Sequence, residues 1–213
     1  MTLPEVIPVF PLPNVVFFPR IPLPLHIFEP RYRAMVQDAA RGARLIGMAL
    51  LRDEWQETYY ERPPIFRTGT VGEMVHVEDL PDGRFNIVLR GLREYTIARE
   101  LDDRAPYREA IVTWRRPLAD PLPPGTRERI TALVQRYLTR LGRDVGPDGL
   151  LRGNVDDETF VNFCAQHLDI APLEKQALLE ATSLGERARR LSDTLEFRIE
   201  ELRLYPGPSQ RAH

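Results

Sequence analysis

Eight prolines fall within the first thirty residues, at positions 4, 8, 11, 13, 19, 22, 24 and 30, and they restrict what this end of the chain can become. Proline locks φ and supplies no backbone N–H, so it interrupts helices and is confined in sheets to edges, strand starts and bulges. Between the prolines lie short apolar pieces, Val15–Phe18 and Leu23–Phe28. The segment therefore reads as edge strands and turns crossing an apolar core. At Pro30 the same residue type changes meaning, because proline suits the first turn of a helix. A helix is expected from Pro30 to about Arg41, with Glu29 complementing its N-terminal dipole and Gly42 ending it.

From residue 44 to 117 the apolar period is mainly two. Leu45–Leu51 is a short continuous apolar run, as in a buried strand. Val71, Glu73, Val75 and Val77 alternate with Gly72, Met74 and His76, and Phe85, Ile87 and Leu89 alternate with Arg84, Asn86 and Val88. Leu80-Pro81-Asp82-Gly83 lies between the two runs with the chemistry of a hairpin turn. Tyr95 with Ile97, and then Tyr107 to Trp114, give two further strands.

Past the proline-rich connector 118–125 the period becomes helical. Ile130, Leu133, Val134, Tyr137, Leu138 and Leu141 form one stripe that Gly142 ends. Asp156-Asp157-Glu158 opens a second helix with Phe160, Phe163, Cys164, His167 and Leu168 on one face. Pro172 starts a short third helix through Leu178 and Leu179. Ser183-x-x-Glu186 is a capping-box pattern for a last helix with the stripe Leu184, Ala188, Leu191, Leu195, Ile199 and Leu202. The expected division is an α+β chain: a β-domain with one early helix over 1–117, the connector 118–125, a helical subdomain over 126–204 and a disordered tail over 205–213.

Charge and composition exclude several function classes. The 29 basic and 31 acidic residues leave a net charge of −2 with a pI of about 6.1, so no basic field draws in nucleic acid. All the basic residues except Lys175 are arginines. Apolar runs such as Leu45–Leu51 are too short to span a bilayer. MTLPEVIPVF has no basic region ahead of an apolar stretch, so no signal peptide and a cytoplasmic location are expected. The single cysteine, Cys164, excludes an intramolecular disulfide and a cysteine-rich zinc site.

The run Ile7-Pro8-Val9-Phe10-Pro11-Leu12-Pro13-Asn14-Val15-Val16-Phe17-Phe18-Pro19, continued by Leu23-Pro24-Leu25-His26-Ile27-Phe28-Glu29-Pro30-Arg31-Tyr32-Arg33, resembles the opening of the Lon protease N-terminal domain. Gly69 to Glu73, Leu80-Pro81-Asp82-Gly83-Arg84, Gly91, Pro106-Tyr107 and Glu174-Lys175-Gln176-Ala177-Leu178-Leu179-Glu180 follow in the family's order, so the resemblance covers roughly 5–204. It implies a PUA-like pseudo-barrel of mostly antiparallel strands followed by a small helical bundle. In Lon proteases this region helps select damaged or tagged polypeptides, and a related domain in cereblon belongs to a substrate receptor of a ubiquitin ligase. The chain is thus expected to be a non-catalytic module that recognises unfolded or tagged polypeptides or acts as an adaptor, with a protease as a candidate partner. The different reading that the resemblance allows is RNA binding through the PUA-like barrel.

A P-loop needs a glycine-rich turn before Lys and Ser/Thr, whereas Lys175 sits in a Glu-Lys-Gln helix and no segment matches Lon's Ser–Lys peptidase. His26, Glu29, Arg31 and Tyr32 could serve as acid, base and anion clamp, but they read more simply as a helix start with Phe28 and Tyr32 packed. His26, His76, His167 and His213 lack ligand spacing. Cys164 and His167 lie on an apolar stripe and read as packing. The arginine clusters Arg115-Arg116 and Arg187, Arg189, Arg190 each have nearby acids. No catalytic residue, metal or cofactor is expected. Peptide binding is expected on WQETYYERPPIF, through Trp55, Tyr59, Tyr60 and Phe66, where aromatics and prolines share a loop or edge strand. The same segment also reads as a loop folded back onto the barrel.

Overall fold

The computed structural model describes residues 3–52, 55–56, 62–102, 105–118, 120–143 and 155–204. Tyr59, Tyr60, the stretch 144–154 and the expected tail 205–213 lie outside these residues. The elements run β1 (Val6–Leu12), β2 (Pro22–Ile27), α1 (Pro30–Arg41), β3 (Leu45–Leu50), β4 (Thr68–Asp79), β5 (Phe85–Leu101), β6 (Arg108–Trp114), α2 (Thr126–Arg140), α3 (Asp157–His167), α4 (Pro172–Leu179) and α5 (Leu184–Leu204).

The sheet closes on itself. β1 pairs in parallel with β3 and antiparallel with β6, β3 pairs with β4, β4 with β5, and β5 with β6. The expected α+β pseudo-barrel is therefore a ring of five strands, with β2 added antiparallel along the N-terminal half of β5. Residues 85–89 and 95–97, which alternation separates, are one 17-residue strand, β5. Its first half carries β2, and its second half closes the ring.

β1 sits between two neighbours although it contains Pro8 and Pro11. The stagger of those neighbours resolves the conflict. β6 pairs with Val6–Val9 and β3 with Val9–Leu12, so each proline lies where β1 has one neighbour, and its missing N–H can face the open flank.

Two apolar clusters fill the β part. Inside the ring lie Ile7, Val9, Leu45, Ala49, Leu51, Val71, Tyr95, Ile97, Ala110 and Val112. The second cluster joins Tyr32, Met35, Val36 and Ala39 of α1 to Phe10, Ile46, Met48, Met74, Phe85, Ile87 and Leu89 of the strands. Helix α1 has the bounds that Pro30 and Gly42 imply. Glu29 makes no side-chain cap bond; it pairs with Arg31 at 3.0 Å. Arg44, in the left-handed region at φ 59°, completes the turn into β3.

The β4–β5 ladder shifts register twice: at Val71/Gly72 the extra residue is Leu92 of β5, and at Met74/His76 it is Val75 of β4. A bulge adds a residue to one strand and resets which side chains face the core. Val75 is 48% exposed at the bulge, and Val77 beyond it joins Met74 on the face that packs against α1.

Contacts divide the chain into two compact units, Met1–Pro117 with Asp169–Glu180, and Leu118–Leu168 with Ala181–His213. Helix α4 thus belongs with the β unit, where the sequence groups it with the other helices over 126–204. It buries Leu178 and Leu179 and is fastened by polar contacts: the Gln176 side-chain amide donates to the Thr68 carbonyl at 3.1 Å. The Arg115 guanidinium donates to the Leu179 and Glu180 carbonyls at 2.8 and 3.1 Å and pairs with buried Glu94 at 2.9 Å. Carbonyls at a helix C-terminus have no intrahelical donor, and a cation there also suits the helix dipole.

In the helical unit, Ile130, Leu133, Val134, Tyr137 and Leu138 of α2 are buried as the stripe predicts. On α3, Phe160, Cys164 and Leu168 are buried, while His167 is exposed and stacks on Phe163. Arg187 is fully buried and donates to Asn162 at 2.6 Å. The capping pattern is shifted by one residue. Ser183 accepts from the Glu186 N–H at 3.1 Å, but the Glu186 carboxylate accepts from the N–H and hydroxyl of Thr182, each at 2.8 Å. Those Thr182 bonds, with Arg190 beside them, hold the Glu186 carboxyl down to about 2. Their stabilisation is present at neutral pH and is lost as the pH falls through that value.

The interior of the ring has little room around Tyr95. Its hydroxyl donates to the Met48 carbonyl at 2.9 Å. A Cβ on Gly69 would overlap that carbonyl oxygen and lie 2.6 Å from the Tyr95 hydroxyl. Gly69→Ala is expected to lower stability by about 3 kcal/mol, the upper end of an overpacking cost, and Tyr95→Phe by about 1 kcal/mol for one buried hydrogen bond. Urea unfolding of the three proteins checks both values.

Candidate functional site

The expected peptide-binding residues lie on the connection from β3 to β4. Its second half runs in place as a backward extension of β4. Phe66 N–H donates to the Leu50 carbonyl at 2.8 Å, Arg52 N–H to Pro64 at 2.9 Å, and Ile97 N–H to Arg67 at 2.8 Å. Leu51 and Ile65 form an antiparallel bridge. Residues 62–67 are thereby held between the end of β3 and the second half of β5.

Arginine side chains fasten the same segment. Arg108 donates to the Pro63 carbonyl at 2.6 Å and lies 3.4 Å from Glu100. Arg62 donates to the Leu101 carbonyl and pairs with Asp102 at 3.0 Å, and Arg67 caps the Ile97 and Ala98 carbonyls. Burial lowers the basicity of Arg108, offset in part by Glu100. A guanidinium offers five donors in a fixed fork, which suits it to collecting carbonyls that a strand end leaves unpaired.

Of the four expected residues, two fall within the described residues. Trp55 is half-buried and packs on the core inside the ring. Phe66 is half-buried, with the Arg52 guanidinium 5.8 Å from its ring centre. The structure brings both to the rim of the barrel, beyond the end of β3, each partly buried and partly exposed. Tyr59 and Tyr60 lie outside the described residues.

The other sequence motifs are taken up by the fold. Arg31 stacks over Tyr32 at 4.6 Å, and Tyr32 is buried against Phe10 at 4.2 Å. Phe28, expected to pack, is 60% exposed. His26 bonds Asn86 at 2.8 Å, and Asn86 donates to Glu78 at 2.8 Å, forming a polar row across β2, β5 and β4. Cys164 is buried and its thiol is pushed up to about 12 by desolvation, which leaves it protonated at neutral pH. Among the described residues no three His, Cys, Asp or Glu side chains converge as metal ligands, and no helix is long and apolar enough to cross a membrane.

The model of the ATP-dependent protease La (LON) substrate-binding domain matches residues 6–196. The chain belongs to the Lon substrate-binding domain family. It is 26% identical over 209 residues to the Lon protease of Cytophaga hutchinsonii, covering 94% of this chain and 25% of that protein. To the Lon protease of Parabacteroides distasonis it is 29% identical over 209 residues, covering 93% and 25%. The chain spans about a quarter of the length of these curated relatives. Two solved structures share the fold. They are a Lon N-terminal domain protein from Xanthomonas campestris (TM-score 0.64, 23% identity, 87% of this chain and 96% of that one) and the N-terminal domain of a Mycobacterium avium complex Lon protease (TM-score 0.69, 19% identity, 90% and 98%).

The β3–β4 connection of this Lon-family domain is tied down by Arg108 at its described end. Arg108→Ala is expected to speed hydrogen exchange at the Arg52 and Phe66 amides, while the Tyr95 region exchanges as before. Amide-resolved exchange on the folded variant reads this directly.

Proposed function

We propose that this chain is a non-catalytic recognition module that binds unfolded or tagged polypeptides, acting in the cytoplasm beside a protease or as an adaptor. The observation that carries the reading is the match to a substrate-binding domain over residues 6–196. The geometry supports it. Trp55 and Phe66 are each partly exposed at the rim of the barrel, and an aromatic side chain contributes large contact area at low entropic cost. Tyr59 and Tyr60, between them in sequence, complete the proposed set of contacts. No acid–base or nucleophilic set competes with this reading among the described residues, since Cys164 is buried and protonated and the Glu29–Arg31 pair serves the start of α1.

RNA binding through the barrel draws no support from the charges. Arg44, Arg62, Arg67, Arg93, Arg108 and Arg115 all donate to backbone carbonyls, so these cations already serve the fold.

The test is anisotropy titration of a labelled, permanently denatured model polypeptide and of a single-stranded RNA at physiological salt. Polypeptide binding without RNA binding is expected. Truncating Trp55, Tyr59, Tyr60 or Phe66 to Ala should weaken it roughly tenfold each, the scale of an interface aromatic. RNA binding with a steep salt dependence and no polypeptide binding would overturn the proposal.

A further inference from the structure

Among the described residues, the outer edges of β2 and of the C-terminal half of β4 differ in what they offer. On the outer edge of β2 stand Pro22, Pro24 and His26. β2 pairs with β5 at every position from Pro22↔Arg90 to Ile27↔Phe85. In an antiparallel ladder alternate residues point both backbone groups at the partner. Proline has no N–H to give, so Leu23, Leu25 and Ile27 face β5, and Pro22, Pro24 and His26 face outward. That edge therefore carries one N–H in three positions and cannot template another strand.

The second edge is the C-terminal half of β4. If Leu89, Ile87 and Phe85 of β5 face β2, then Val88, Asn86 and Arg84 face β4, and the Leu80 N–H does donate to the Arg84 carbonyl at 2.9 Å. Their partners His76 and Glu78 face β5, and the bulge places Val75 beside His76 against the same Val88. Val77 and Asp79 then point both their N–H and C=O groups away from β5. β3 does not reach them. Its pairing with β4 ends at Leu45↔Glu73, and Arg44 supplies both the acceptor for the Met74 N–H and the donors for the Met74 carbonyl. Among the described residues no strand covers β4 beyond that point.

From this we infer that the outer edge of β4 at Val77 and Asp79 adds a strand from a bound polypeptide. The inference rests on the polypeptide-binding reading and specifies its mode. Side chains along the edge define the occupant. Val77 packs toward the core of α1 and the sheet, while Glu78 is exposed on the opposite face and Asp79 is exposed at the end. An extended segment alternating apolar and basic residues places its apolar side chains beside Val77 and its cations beside Glu78. A second copy of the same edge would set Glu78 and Asp79 against their own kind. The acidic edge therefore selects a cationic, apolar strand of another polypeptide and disfavours self-pairing.

The experiment measures binding of a labelled nine-residue peptide alternating valine and arginine. It is run beside its valine–glutamate counterpart and a valine–arginine version N-methylated at every second peptide nitrogen. The intact chain should bind the first and bind the other two at least roughly tenfold more weakly, the loss expected from one or two backbone hydrogen bonds. Val77→Pro removes one outward N–H without touching the β5 ladder. It should weaken the first peptide by the same factor, with circular dichroism showing the fold retained at the temperature of the titration. Unaltered binding by the N-methylated peptide, with the denatured model polypeptide still bound, would overturn strand addition and leave the polypeptide reading standing. Failure to bind any polypeptide would overturn both.

Discussion

The barrel is packed around Tyr95, whose ring fills the space left by Gly47 and Gly69 and whose hydroxyl donates to the Met48 carbonyl. That bond links the long strand β5 to β3 through the interior of the ring. A Cβ on Gly47 would lie 2.7 Å from Ile7 and 3.0 Å from the Tyr95 hydroxyl. Close approach of this kind is the use of glycine in a strand, and its entropic cost is offset by what the approach lets the chain pack. The ladders close the ring around this packing. With β3 and β5 tied across the interior, β4 lies between them, and β1 and β6 complete the ring. Closing a sheet removes the edges that would otherwise pair with other chains.

Where the ladder ends, arginine takes over. Arg44 covers the Met74 carbonyl at the end of the β3–β4 pairing, Arg67 and Arg62 cover the Ile97, Ala98 and Leu101 carbonyls, and Arg115 covers the end of α4. A compact lysine ammonium offers no planar fork for two carbonyls at once. At these positions the fork gives arginine a use that lysine could not fill. These arginines serve the protein's own backbone.

Much of this was legible in the sequence because the signals are local. Pro30 and Gly42 bound α1, Leu80-Pro81-Asp82-Gly83 turns the β4–β5 hairpin, with Gly83 at φ 76°, and the stripe from Ile130 to Leu138 buries α2. What escaped was long-range. Residue alternation does not encode a bulge, so the side-chain phase along β4 slips at Val75. The placement of α4 with the β unit is set by Gln176 and Arg115 reaching groups far away in sequence. Burial of Arg187 depends on Asn162 of another helix. At the candidate site, the aromatic content of 55–66 was plain, whereas the docking of Trp55 on the core came from barrel closure. The difference between the two open edges needed the register, since proline in β2 has consequence only once its neighbour is known.

Polypeptide recognition at the β unit is the central claim, and the family match, the rim aromatics and the open β4 edge bear on it together. The measurement that tests it most directly is amide-resolved hydrogen exchange of the intact chain with and without a denatured model polypeptide. The account predicts slowed exchange at the Val77 and Asp79 amides and around Phe66, with the His26 amide on the outer edge of β2 unchanged. Protection confined to the helical unit, or none anywhere at saturating polypeptide, would contradict it.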